Sequence, residues 1–147
     1  MILIATISSF FATLAYSIVF NVPKNHLLIC SAIGSIGWTA YTLCSSYFLY
    51  SEATSNFVAA LIVSTLATIL SRQRFAPVTV FLIPGIIPLV PGYALYKTMY
   101  ALVIADYSQA LNSVLTAFLI SGCIAGAITI VTFIPPIFGI NKRGRRI

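Results

Sequence analysis

Apolar residues in this chain gather into long uncharged blocks, and the segments between the blocks hold most of the charges and several prolines. A membrane-crossing helix needs about 20 largely apolar residues to span about 30 Å of hydrocarbon. Residues 2–20 form a first such block, closed by Asn21-Val22-Pro23-Lys24, and residues 27–50 form a second, closed by Ser51 and Glu52. A third covers residues 53–71 and stops at Arg72-Gln73-Arg74, and a fifth covers residues 109–133 and stops at Pro135-Pro136. Prolines and basic residues are common helix terminators. Between them lies a stretch of 30 residues, 75–104, that carries Pro84, Pro88 and Pro91 in its interior. The pattern therefore predicts an all-α integral membrane protein: one domain, residues 1–147, of five transmembrane helices, the fourth broken by proline and glycine near residues 84–92.

Composition and charge sharpen this picture. Hydrophobic residues make up 60% of the 147 positions and charged residues 7%, against roughly a quarter charged in a soluble domain. With a mean hydropathy of +1.04, lipid must cover surface that one compact unit cannot hide from water. A net charge of +6 would suggest a nucleic-acid partner in a soluble protein. Here the charges sit between apolar blocks and bear on orientation instead, because cytoplasmic loops collect Lys and Arg. With five crossings and a cytoplasmic C-terminus, Lys24, Arg72, Arg74, Lys142, Arg143, Arg145 and Arg146 share the inner side, seven of the eight basic residues, while Glu52 and Asp106 fall outside. The expected topology has the N-terminus outside, in a multi-pass protein of the cell (inner or plasma) membrane. Residues 2–20 lack a basic leader and read as a retained helix rather than a signal peptide. The basic tail at 141–147 reads as a juxtamembrane cluster on anionic lipid, so a nucleic-acid partner is not expected. Cys30, Cys44 and Cys123 have no metal-ligand spacing with the single His26, so they read as small packing residues, and neither metal nor cofactor is expected. Nothing between the blocks is long enough to house a soluble catalytic domain.

Three spans carry polar faces. In the second, Ser31, Ser35, Trp38, Thr42 and Ser45 or Ser46 recur at steps of three and four, within an arc of about 100°. Thr6, Ser9, Thr13 and Ser17 repeat the pattern in the first span, and Gln109, Asn112, Ser113 and Thr116 mark the start of the fifth. These faces either line a polar cleft or bond back to their own helices and let neighbouring helices approach closely. Trp38 falls near the bilayer middle rather than at the headgroups, which points it at protein or a cavity. Gly122 and Gly126 form a GxxxG pair, and Cys30 with Gly34, like Ser31 with Ser35, has small-xxx-small spacing. Close helix contacts are expected at these positions, within the chain or with a second protein.

The segment Ile83-Pro84-Gly85-Ile86-Ile87-Pro88-Leu89-Val90-Pro91-Gly92 packs three prolines and two glycines into ten residues. Each interior proline removes a backbone donor and frees a carbonyl that lipid cannot satisfy, so such backbone persists only against protein, water or solute. Broken helices of this kind build the substrate sites of many secondary transporters, and Pro91 is placed to open the second half-helix. Beyond the break Lys97 is the ionisable residue inside a span, with Tyr93, Tyr100 and Ile104 on its face. It either lines a pathway, where it suits a carboxylate, or snorkels to the outer surface. No acid lies within a span.

Phe20-Asn21-Val22-Pro23, Gly34-Ser35-Ile36-Gly37 and the residue 83–92 segment, with Tyr96 and Met99 downstream, resemble the second half of the threonine/serine exporter family. The I-x-P-x-x-P-G core, here Ile86, Pro88, Pro91 and Gly92, is the most specific part. In that family a five-helix unit forms the C-terminal half of a long chain or a separate small subunit beside a larger membrane protein. The resemblance implies proton-driven export of small amino acids such as threonine and serine, with dicarboxylates such as succinate as the alternative substrates. It assigns Pro84, Gly85, Pro88, Pro91 and Gly92 to the broken helix and Gly34 and Gly37 to a close-packed second helix. Lys97 is outside the family core, and proton coupling would fall to the larger partner or be absent.

The expected function is thus an exporter subunit whose pathway or binding residues are Pro84, Gly85, Pro88, Pro91, Gly92, Tyr93, Lys97, Tyr100, Ser35, Trp38 and Thr42. Gly34, Gly37, Gly122 and Gly126 are assigned to helix packing. Association with further copies of the chain stays open, and so does a purely structural role in holding the larger subunit. An enzyme is disfavoured, because His26 and the acids Glu52 and Asp106 fall at opposite membrane faces and give no acid/base pair.

Overall fold

The computed structural model describes residues 2–47 and 51–133, which are helical apart from short connections. Helices α1 (Ile2–Val19), α2 (Leu27–Tyr47), α3 (Glu52–Arg74) and α6 (Tyr107–Phe133) are each long and apolar enough to cross a bilayer. Between α3 and α6 lie α4 (Val78–Ile86), a single 3-10 turn (Ile87–Leu89) and α5 (Gly92–Val103). The two halves meet at a bend of 49°, and counted as one broken span they make a fifth crossing. The tail at 141–147 and Pro135-Pro136 lie outside the described residues.

α3 is the hub. It packs against α2, α4 and α6, while α1 lies on α2 and α5 lies on α6. Along α3 the buried positions are mostly small: Ser55, Ala59, Val63, Ala67 and Ser71 form one row at steps of four, and Asn56, Ala60 and Ser64 a second. Rows of small side chains at that spacing let helix backbones approach closely without a hydrophobic driving force. The core gathers on them, with Cys30 and Ile33 from α2, Phe81 from α4, Leu89 from the 3-10 turn, and Ile120 and Ile124 from α6. Large apolar side chains such as Leu3, Phe11, Leu115 and Phe118 face outward, as a lipid-facing surface requires.

The chain turns sharply at three helix ends, each with the same closure. Asn21, Phe75 and Ala105 take left-handed φ values of 53°, 52° and 58°. The next amide then reaches back to the last turn, Val22 to Ser17, Ala76 to Ser71 and Asp106 to Ala101, at 2.9 to 3.1 Å. This Schellman closure satisfies carbonyls at the helix end. The third turn also starts the next helix, because the Asp106 carboxylate accepts from the Gln109 amide at 3.0 Å and caps α6.

The polar faces of α1 and α2 meet each other. Thr6 and Thr39 touch hydroxyl to hydroxyl at 2.9 Å. Most of the remaining hydroxyls donate to their own helix: Thr13 to Ser9, Ser17 to Thr13, Ser31 to Leu27 and Thr42 to Thr39. Gly34 makes the contact close, since a Cβ there would run into the Thr13 side chain, and at Gly37 it would run into Val63. Gly122 and Gly126 differ, with nothing within 4 Å of a Cβ at either, so the GxxxG pair makes no helix contact within the described residues.

Two substitutions test this packing. Gly34→Val should cost about 1–3 kcal/mol by overpacking the α1–α2 seam, read as a lower melting temperature in detergent. Ala105→Gly should relieve left-handed strain and raise stability by about 1 kcal/mol, read in the same assay.

Candidate functional site

The break between α4 and α5 begins with a missing donor. Pro84 sits inside α4 and cannot bond the carbonyl four residues earlier, that of Val80. The Cys30 thiol of α2 takes its place, donating to the Val80 oxygen at 3.3 Å. Pro84 and Gly85 are buried, and a Cβ on Gly85 would stand 3.0 Å from Ile33 and 3.1 Å from Val63. α4 is therefore seated tightly between α2 and α3. After the 3-10 turn holding Pro88, the Val90 amide bonds the Ile87 carbonyl at 3.1 Å. At Pro91 (φ −74°, ψ 57°) the Gly92 amide bonds the Val90 carbonyl at 2.7 Å. That geometry is an inverse γ-turn, and α5 starts directly after it. Gly92 has open space around it.

α5 leaves the α2–α3 groove and lies along α6, and a polar cleft of about 640 Å³ opens beside this pair. Tyr93, Ala94 and Lys97 of α5 line it, together with Asp106 and with Ser108, Gln109, Asn112, Ser113 and Thr116 of α6. Glu52, in the first turn of α3, adds a second carboxylate. The Lys97 ammonium stands 4.8 Å from the centre of the Tyr93 ring, a cation–π arrangement that fixes its position without neutralising it. The volume lies within the usual range for small-molecule sites, about 300–1,000 Å³.

A smaller cleft of about 160 Å³ lies at the opposite end of the bundle. Phe20, Asn21, Val22 and Pro23 form one wall, and Thr79, Val80, Ile83 and Pro84 of α4 form the other. Two stretches far apart in sequence, both singled out by the family resemblance, thus meet there. Pro84 and Lys97 belong to different clefts, with the 3-10 turn and Pro91 between them in the chain.

The candidate residues separate into groups. Tyr93 and Lys97 share the polar cleft, whereas Tyr100 stacks on Tyr96 at 6.3 Å and is not among the residues lining it. Ser35 is buried and bonds back to Ala32, and Thr42 to Thr39. Trp38 packs against the core with its ring 5.2 Å from that of Tyr41. These three belong to the packed α1–α2–α3 region, and the structure does not bring them to Lys97; the polar faces of α1, α2 and α6 form no common cleft. The reason is the hydroxyls themselves, which find acceptors within their own helices. Sequence reasoning missed Glu52 and Asp106 as cleft residues, having used them as topology markers. The signal was present, since both flank spans on the same side. It also missed the Cys30 thiol, whose role depends on a proline 54 positions away.

Residues 5–134 match the model of a family described as Threonine/Serine exporter, ThrE. No solved structure matches the chain.

Cys30→Ala should leave the Val80 carbonyl without a donor at a cost of about 1–3 kcal/mol, whereas Cys30→Ser, which keeps a donor, should stay near the parent. Thermal unfolding of the three proteins side by side gives the order.

Proposed function

Because the chain belongs to the threonine/serine exporter family, an amino-acid export family of multi-pass membrane proteins, we propose that it is the small subunit of a secondary exporter for small amino acids such as threonine and serine. The observation that carries this reading is the 640 Å³ cleft, which presents an ammonium, two carboxylates and neutral polar groups along α6. An amino acid carries one charge of each sign and is matched by such a lining. The dicarboxylate alternative is less well matched, since a dianion would meet two carboxylates and one ammonium. The broken span supports the same reading, because irregular backbone at membrane depth belongs where solute or water reaches it.

The proposed setting is the cell membrane, with five crossings, the N-terminus outside and the cytoplasm facing the 20–26 and 74–78 ends. The polar cleft then opens outward and the small cleft lies on the cytoplasmic side. A larger membrane subunit completes the exporter. The Gly122–Gly126 face of α6 supports that partnership, because among the described residues nothing lies within 4 Å of a Cβ at either glycine and the spacing suits close contact with another helix.

Efflux of preloaded threonine from cells should require both subunits. Lys97→Gln should lower that efflux on the order of 10-fold, equivalent to about 1.4 kcal/mol, with the amount of membrane-inserted complex unchanged. Loss of the complex itself would instead favour a structural role for the chain.

A further inference from the structure

The three charged side chains of the polar cleft come from three different elements and do not have equal freedom. Asp106 is committed: its carboxylate caps α6 through the Gln109 amide at 3.0 Å. Glu52 has no such duty, because the Ser51 side chain already accepts from the Thr54 amide and caps α3. The hydrogen bond made at Glu52 runs to its main-chain carbonyl, from the Asn56 side chain at 2.8 Å. Lys97 is held by the Tyr93 ring, which attracts the ammonium while leaving its three N–H donors to be used. Among the described residues the cleft therefore offers one uncommitted carboxylate on α3 and one uncommitted ammonium on α5.

Resting on the amino-acid reading above, we propose that Glu52 and Lys97 divide the solute between them: Glu52 receives the α-ammonium and Lys97 the α-carboxylate. The amide and hydroxyl side chains of α6, Asn112 and Ser113 among them, face the remainder of the molecule. Glu52 is then the residue that distinguishes an amino acid from a dicarboxylate, since it attracts the first and repels the second. A solute held at both ends also ties α5 to α3, two helices joined in the structure chiefly through α6.

The test is a crossed binding experiment on the full chain in the complex in which it purifies, using three probes: L-threonine, threoninol, which lacks the carboxylate, and 3-hydroxybutyrate, which lacks the ammonium. Calorimetric titration should show Glu52→Gln weakening threonine and threoninol at least 10-fold while 3-hydroxybutyrate binds as before or more tightly. Lys97→Gln should weaken threonine and 3-hydroxybutyrate while sparing threoninol. Glu52→Asp should restore the preference for threonine over succinate that Glu52→Gln loses. If the parent binds threonine and the two substitutions weaken all three probes alike, or none, the assignment of ends is wrong and the export reading stands. If the parent binds no probe yet exports threonine in cells, the assignment falls and the solute site lies elsewhere. If it neither binds nor exports threonine, both fall together.

Discussion

A carbonyl without a donor is expensive away from water, and the α4–α5 segment holds prolines that create such carbonyls. Here those freed by Pro84 and Pro91 find partners close by: the Cys30 thiol serves Val80 and the Val90 amide serves Ile87, while the Gly92 amide closes the turn on Val90. With these carbonyls paired, α4 can stop partway through the bundle and remain buried, held by the near contact of Gly85 with Ile33 and Val63. The remaining architecture follows from that stop. α5 restarts at 49° to the first half and finds its neighbour in α6, and the polar cleft opens beside this second pair.

The helical blocks were legible because twenty-residue uncharged stretches have few other uses, and the break was legible because proline acts locally. What the sequence pattern could not separate was the fate of similar polar faces. The first, second and last helices all carry polar residues at steps of three and four, yet two of these faces close on each other and the third opens to a cleft. Residue type held the distinction. Ser and Thr hydroxyls reach a carbonyl of their own preceding turn, as Thr13, Ser17, Ser31 and Thr42 do, and then behave as small packing groups. The Gln109 and Asn112 carboxamides carry two donors and an acceptor each, more than one helix turn can satisfy. A stripe mixing amides with hydroxyls thus points toward water or solute more strongly than hydroxyls alone.

The same reasoning applies to charge. Glu52 and Asp106 first served to orient the chain, and each also occupies a helix N-terminus, where a carboxylate is favourable for reasons unrelated to solute. Asp106 also caps its helix, whereas at α3 Ser51 fills the cap and the Glu52 carboxylate keeps only the dipole interaction. The separation needed the hydrogen bonds, which spacing alone does not give, and it shows how a topology marker can also line a cleft.

The two clefts lie on either side of the break, and the mechanical difference between the half-helices bears on how they would communicate. On the α4 side there is no slack: Phe81 and Pro84 are fully buried, Leu89 is 3% exposed, and Gly85 leaves no room even for a methyl group without its neighbours giving way. On the α5 side Gly92 has open space, the link is one inverse γ-turn, and much of the helix surface, from Tyr93 to Val103, is exposed. Packed interiors resist continuous deformation, so motion concentrates where contacts are few. Displacement of α5 past Pro91 therefore meets less packing resistance than displacement of α4. Tyr93 and Lys97, which line the polar cleft, lie in the first two turns of this more loosely packed half-helix.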